Sequence, residues 1–285
     1  MKIEVAIVEA FVDGERGGNP AGVVLDADRL DREQKLSVAA AVGLSETAFV
    51  GRSEIAEHKL DFFTPTRQIA HCGHATVAAF SYLAQAGKVA SNDSSKETID
   101  GTRQIAMRGE RAFMQQLAPT YSTPEPADFA AILGLNAAQL LGEPWIVNTG
   151  NSFLLIEVNS PESLAAVQPD LETIEQLSEC YDLIGFYVFT RHSNVPGRDA
   201  STRMFAPRYG ITEEAATGMA AGPLACLLFD KLGIDSPTLQ IEQGYAMIPT
   251  SPSCITVELA LENGEIQSLL AGGLARVAEV RTVEI

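Results

Sequence analysis

The apolar residues fall into short runs broken by turn chemistry, and the runs recur in the same order in both halves of the chain. The first run, over residues 1–12, is interrupted by Glu4 and Glu9, so it reads as a strand and not as a signal-peptide core. It leads into Gly18-Asn19-Pro20-Ala21 and the apolar residues 22–25. The second half opens alike, with a strand around 145–147, then Gly150-Asn151 and the apolar run 153–156. Each Gly-Asn pair is a turn signal between apolar runs, and each predicts a hairpin-like unit. A helical segment follows in both cases, over 31–43 and 170–181. Gln34 stands three residues after Asp31, the spacing of a capping box, and Gly43 suits a helix C-terminus. Strands are predicted next, over 44–50 and 183–189.

A third element repeats as well. Asp61-Phe62-Phe63-Thr64-Pro65 precedes Cys72-Gly73-His74 and a helix over 75–86, closed by Gly87. Arg203-Met204-Phe205-Ala206-Pro207 precedes Thr217-Gly218-Met219 and a helix over 220–232, closed by Gly233. Both helices are apolar nearly all round, through Val77, Ala79, Phe80 and Leu83 in one and Leu224, Leu227, Leu228 and Phe229 in the other. Such helices must be buried on every side. The only other material is strand, so each half is expected to be a curved, mostly antiparallel sheet wrapped around a central apolar helix. The fold class is α+β, with two pseudo-symmetric domains. Three recurrences in one order point to duplication. Pro119, Pro124 and Pro126 mark the boundary, giving halves 1–118 and 119–285, with the last strand, 275–285, a candidate to complete the first half.

Length and charge narrow the function classes. A chain of 285 residues is long for a single core. The net charge of -17, from 37 acidic and 20 basic residues, argues against nucleic acid and anionic membranes as partners. No uncharged stretch approaches the roughly 20 apolar residues of a membrane span. Four scattered cysteines (Cys72, Cys180, Cys226, Cys254) fit reduced thiols in a cytoplasmic protein.

Paired domains favour a binding cleft where they meet. Two glycine-led helix starts, Gly73-His74 and Gly218-Met219, would present free N–H groups and positive dipole ends to a carboxylate or enolate oxygen. Tight packing would explain the same glycines. The halves differ at Glu46, whose counterpart by register is Gly185. A carboxylate at the mouth of an apolar strand is partly desolvated, which is expected to raise its pKa; a solvated surface Glu is the plainer reading of that residue alone. His71, Cys72 and His74 crowd one turn too tightly to converge on an ion, so no metal is expected. Gly14-Glu15-Arg16-Gly17-Gly18 lacks the Lys-Ser/Thr of a phosphate loop.

Taken together, Gly18-Asn19-Pro20-Ala21, Leu44-Ser45-Glu46-Thr47-Ala48-Phe49, Phe63-Thr64-Pro65, Cys72-Gly73-His74-Ala75-Thr76, Gly210-Ile211-Thr212-Glu213-Glu214-Ala215-Ala216-Thr217-Gly218, Gly222-Pro223-Leu224-Ala225 and Gly272-Gly273 resemble the signatures of the phenazine-biosynthesis isomerase (PhzF-like) family. The matches run in order over nearly the whole chain. The resemblance implies a diaminopimelate-epimerase-like fold and a cofactor-independent isomerase or epimerase, moving a proton at carbon in a small carboxylic acid. The family's phenazine member does this to a dihydro-hydroxyanthranilic acid. The family's catalytic glutamate falls on Glu46, acting as acid/base in the inter-domain cleft. Its helix-start histidine falls on His74 and its second-half aspartate on Glu214, which would position the substrate or share protons, and its second-half serine falls on the substrate-binding position Met219. Gly73 and Gly218 would supply amides, and Asn19 would hold the substrate from the other side. The family also implies a homodimer.

Several positions depart from the family pattern. Glu214 replaces an aspartate, Ala215 a proline, and Met219 removes a hydroxyl. Gln68 stands where an acidic residue is common, and the usual arginine before Pro252-Ser253 is absent. These changes imply a substrate other than the phenazine precursor. Two alternatives accompany this reading: a catalytically silent small-acid-binding relative, and a thiol-dependent racemase using Cys72. Related two-thiol epimerases place a cysteine before each helix-start glycine; here Thr217 occupies the second place, and a lone buried cysteine is most often only a small hydrophobe.

Overall fold

In the computed structural model, which describes residues Met1–Ile285, the strand Lys2–Ala10 lies between two antiparallel neighbours. One is Asn19–Val24, the other the final strand Ala275–Glu284. The chain divides into two compact units, Met1–Gln115 with Gly272–Ile285, and Gln116–Ala271. Each unit carries its own apolar core, centred on Ile3, Val5, Phe49 and Phe63 in the first and on Leu154, Ile156, Phe186 and Phe205 in the second.

The two central helices are Gly73–Gln85 and Gly218–Asp230. Ala75, Val77, Ala78, Ala79, Phe80 and Leu83 are all buried in the first, as the uninterrupted apolar pattern requires. That helix packs on Lys2–Ala10, Asn19–Val24, Thr47–Gly51 and Ala275–Glu284. The second packs on Leu140–Asn148, Ser152–Val158, Thr238–Gln243 and Ser253–Glu262. Both begin two residues earlier than the sequence pattern indicated, so each glycine sits inside the first turn.

Strand pairing shows the repeat directly. Most pairs are antiparallel, but each unit has two parallel ones, each bridged by a helix, as a parallel pair demands. In the first unit they are Asn19–Val24 with Thr47–Gly51 and His58–Phe63 with Asp93–Thr98. In the second they are Ser152–Val158 with Leu183–Thr190 and Ala200–Ala206 with Thr238–Gln243. The hairpin expected at Gly150-Asn151 joins Leu140–Asn148 to Ser152–Val158.

The helix Arg32–Val42 is closed at both ends by the residues expected. The Asp31 carboxylate accepts from the Gln34 N–H at 2.9 Å, and the Gln34 amide oxygen accepts from the Asp31 N–H at 3.1 Å. Gly43 terminates it with φ +71°. Asp31→Ala is expected to lower stability by about 1 kcal/mol in urea melts.

Gly185, the register counterpart of Glu46, has a steric reason to be glycine. A Cβ added there would lie 2.2 Å from the Phe205 carbonyl oxygen and 3.0 Å from the Ala206 Cα. Backbone cannot retreat as a flexible side chain can. Gly185→Ala is expected to cost about 3 kcal/mol or more, and an unchanged thermal melt would refute the clash. No helix is long and apolar enough to cross a membrane.

Candidate active site

Glu46 lies in the bend just before Thr47–Gly51, not within the strand as the sequence pattern suggested. Its backbone carbonyl accepts from the Gly22 N–H at 3.0 Å, anchoring the bend to the neighbouring strand. The carboxylate Oε2 stands 3.2 Å from Nε2 of His74, with only 13% of the Glu46 side chain and 4% of the His74 side chain exposed. On the other edge of the same ring, Nδ1 is 3.6 Å from the Cys72 sulfur. The helix start therefore gathers three groups in a row: thiol, imidazole, carboxylate.

Burial pushes the Glu46 carboxyl up, but the hydrogen bond and charge of His74, with a hydrogen bond from Ser45, outweigh it. The net effect leaves Glu46 below the ordinary carboxylate range, which corrects the raised value expected from desolvation alone. A partner on the first central helix reverses the sign. The Cys72 thiol goes the other way, pushed up chiefly by burial.

The donor atoms of Glu46, Cys72 and His74 all lie within 4.8 Å of one another. A shared ion would need a single ring nitrogen aimed at the point where sulfur and carboxylate meet. Here His74 turns a different nitrogen to each neighbour, an arrangement suited to passing or fixing protons. His71, grouped with Cys72 and His74 in the sequence, turns instead to Lys96.

That lysine is a feature no sequence motif announced. Lys96 is fully buried, and its ammonium donates to Thr76 Oγ1 at 2.7 Å and stands 3.0 Å from Nδ1 of His71. It also lies 5.0 Å from the centre of the Phe62 ring. Thr76 in turn donates to the Cys72 carbonyl at 2.6 Å, so the lysine braces the start of the first central helix. Burial, above all, lowers Lys96 to about 7. Burial and then the charge of Lys96 lower His71 to about 3.

In the second unit, two consecutive glutamates end the strand Ile211–Glu214. Glu213 is occupied by Arg203, whose Nε and Nη2 each donate to it at 2.8 Å. Glu214 points to the helix start, where Thr217 Oγ1 donates to its Oε2 at 2.5 Å. Met219, partly buried in the first turn, has its sulfur 3.5 Å from Nδ2 of Asn151. Asn151 is the repeat partner of Asn19, so the Gly-Asn pairs were a usable signal for it. Asn19 itself is 5% exposed and opens the strand Asn19–Val24. Gly73 and Gly218 are buried in the first turns of their helices, and neither Cys72 nor Thr217 caps its helix with a side chain. Gln68 accepts from Arg32 Nε at 3.1 Å.

The model of the family described as phenazine biosynthesis-like protein (PhzC-PhzF) matches residues 8–279. The chain belongs to this family. A PhzF-family phenazine biosynthesis protein of Bacillus anthracis superposes with a TM-score of 0.92 at 26% identity, each chain covered completely. An uncharacterised isomerase of Deinococcus radiodurans is 33% identical over 95% of this chain and 92% of its own. The trans-2,3-dihydro-3-hydroxyanthranilate isomerase of Pseudomonas aeruginosa is 29% identical over 77% of each chain. The PhzF-like membership, the isomerase class and the α+β, epimerase-like fold read from the sequence all hold.

Proposed function

We propose that this PhzF-family isomerase moves a proton between carbons of a small carboxylic acid without a cofactor, with Glu46 as the acid/base. The observation that carries the reading is the buried 3.2 Å contact between Glu46 and His74 at the start of the first central helix. Held below its ordinary range, Glu46 is a carboxylate at neutral pH and can accept a proton from carbon. The electron pair left behind moves into the adjacent π system. The same carboxyl then returns the proton at another carbon. His74 steadies the carboxylate from one side. The backbone N–H groups of Gly73 and Gly218 would suit the negative charge that develops on the substrate. Glu214 stands where the family has an aspartate and would position the acid or share its protons, while Met219, in the place of the family's serine, and Asn19 would select it.

The test is solvent deuterium incorporation into a panel of small unsaturated and amino carboxylic acids, comparing wild type with Glu46→Gln. Exchange that vanishes with Glu46 supports the reading; exchange that persists sinks it. The thiol reading is weaker because burial favours the protonated, non-nucleophilic form of Cys72. Exchange abolished by iodoacetamide and untouched by Glu46→Gln would restore it.

A further inference from the structure

Gln243 closes the strand Thr238–Gln243 and has no exposed surface. Its amide is engaged on every side. Oε1 accepts from the Thr217 N–H at 3.1 Å and from the Tyr187 hydroxyl at 3.0 Å. Nε2 donates to the Glu214 carbonyl at 2.7 Å and to Thr217 Oγ1 at 3.1 Å. The orientation of this amide is forced. A backbone N–H can only donate and a carbonyl can only accept, so Oε1 must face the Thr217 amide and Nε2 the Glu214 carbonyl.

The forced orientation fixes the next proton along. With an amide N–H on its oxygen, the Thr217 hydroxyl directs its own proton elsewhere. That proton goes to Glu214 Oε2, at 2.5 Å. The rest of the segment is pinned in the same manner. Ser253 Oγ donates to the Ala215 carbonyl at 2.8 Å, and Gln116 Nε2 donates to the Gly218 carbonyl at 2.9 Å. The backbone behind Gln243 is closely packed: the Ser251 N–H donates to the Gly244 carbonyl at 2.9 Å, and a Cβ at Gly244 would lie 2.0 Å from the Ser251 carbonyl oxygen. A buried loop whose backbone groups are met by side chains has its geometry set by those side chains.

We infer that Gln243 is a positioning residue of the site. It keeps the Thr217 hydroxyl as a donor to Glu214 and sets where the helix Gly218–Asp230 begins. This rests on Glu214 belonging to the site, as the proposed function has it. Gln243→Glu is the informative substitution, because it keeps the shape and the Oε1 acceptor. It replaces the Nε2 donor with an oxygen facing two other oxygens, and it offers the Thr217 hydroxyl a competing acceptor. Thr217→Val removes the hydroxyl alone, and Thr217→Ser keeps it.

The experiment measures kcat and KM for deuterium exchange on the acid that wild type turns over, and amide hydrogen exchange across residues 214–218 of the free protein. Gln243→Glu and Thr217→Val should each lower kcat roughly ten- to a hundredfold with a smaller change in KM. Thr217→Ser should stay near wild type. Amide exchange over 214–218 should quicken in Gln243→Glu while the rest of the chain stays as protected as wild type. Wild-type kcat in Gln243→Glu, or unchanged local amide exchange, overturns the inference. If Gln243→Glu does not fold, Thr217→Val and Thr217→Ser decide it on kcat alone. Failure of the proposed function is a different result, namely exchange on acids that ignores Glu46→Gln, and the amide readout then decides the role of Gln243 by itself.

Discussion

Replacing Glu46 with glutamine is expected to slow proton exchange by roughly 10² to 10⁴-fold, the range over which a positioned acid/base assists such a step. The substitution keeps the shape of the side chain and a hydrogen-bond acceptor beside His74, so the fold should survive and the melting temperature should move little. What is lost is the ability to take a proton at all. The wild-type pH profile carries a second signature. Because His74 holds Glu46 below the ordinary carboxylate range, the basic form persists into acid. Activity that depends on the carboxylate should therefore fall only at pH values below that range. An acid limb at or above the usual glutamate value would contradict the pairing seen here.

Above neutral pH, the pH dependence of stability should be dominated by Lys96, in the opposite sense from a surface lysine. Its folded value is about 7, whereas an exposed lysine in the unfolded chain titrates near 10.4. Between those two values the unfolded chain holds a proton that the folded chain has released. Stability must then rise with pH across that window. Below about 7 both states are protonated and the folded state bears the whole cost of the buried charge. At roughly 1.4 kcal/mol per pH unit, the change is on the order of several kcal/mol. Burial is the main cause; the neighbouring Cys72 and Asp100 work against it and Arg103 with it. His71 adds a slope of the same sign and similar size at lower pH, between about 3 and the ordinary histidine value. Urea melts from pH 6 to pH 10 should show wild type gaining stability, and Lys96→Met should flatten the curve. A wild-type curve that is already flat would mean that the ammonium is not confined as the structure places it.

Comparing these two residues shows what a sequence can reveal. Glu46 is marked in the sequence by a broken repeat, since the same register holds Gly185 in the other half, but on its own it reads as a surface residue and only the family resemblance singles it out. The central helices were legible, since only complete enclosure suits a helix apolar on every face. Lys96 and Gln243 were not legible. The run Asp93-Ser94-Ser95-Lys96-Glu97-Thr98 is entirely polar. Yet it forms a strand whose alternate residues Ser94, Lys96 and Thr98 are buried. No periodicity of hydrophobic residues can signal a face that buries polar groups. The sign of the Glu46 shift is not legible for a different reason: it depends on His74, a partner distant in sequence. Local pattern reports what a residue is; the partner decides how it titrates.

The pairing of Lys2–Ala10 with Ala275–Glu284 also orders events during synthesis. The second unit is one continuous stretch of chain, so every residue it needs has been made before translation ends. The first unit is not. Its opening strand can join the hairpin partner Asn19–Val24 early, but its other edge has no neighbour until the final strand has left the ribosome. Until then that edge offers unpaired backbone groups to any strand that reaches it. The first half can close this edge only when Ala275–Glu284 is present, so truncation that removes the final strand should open the half that is made first.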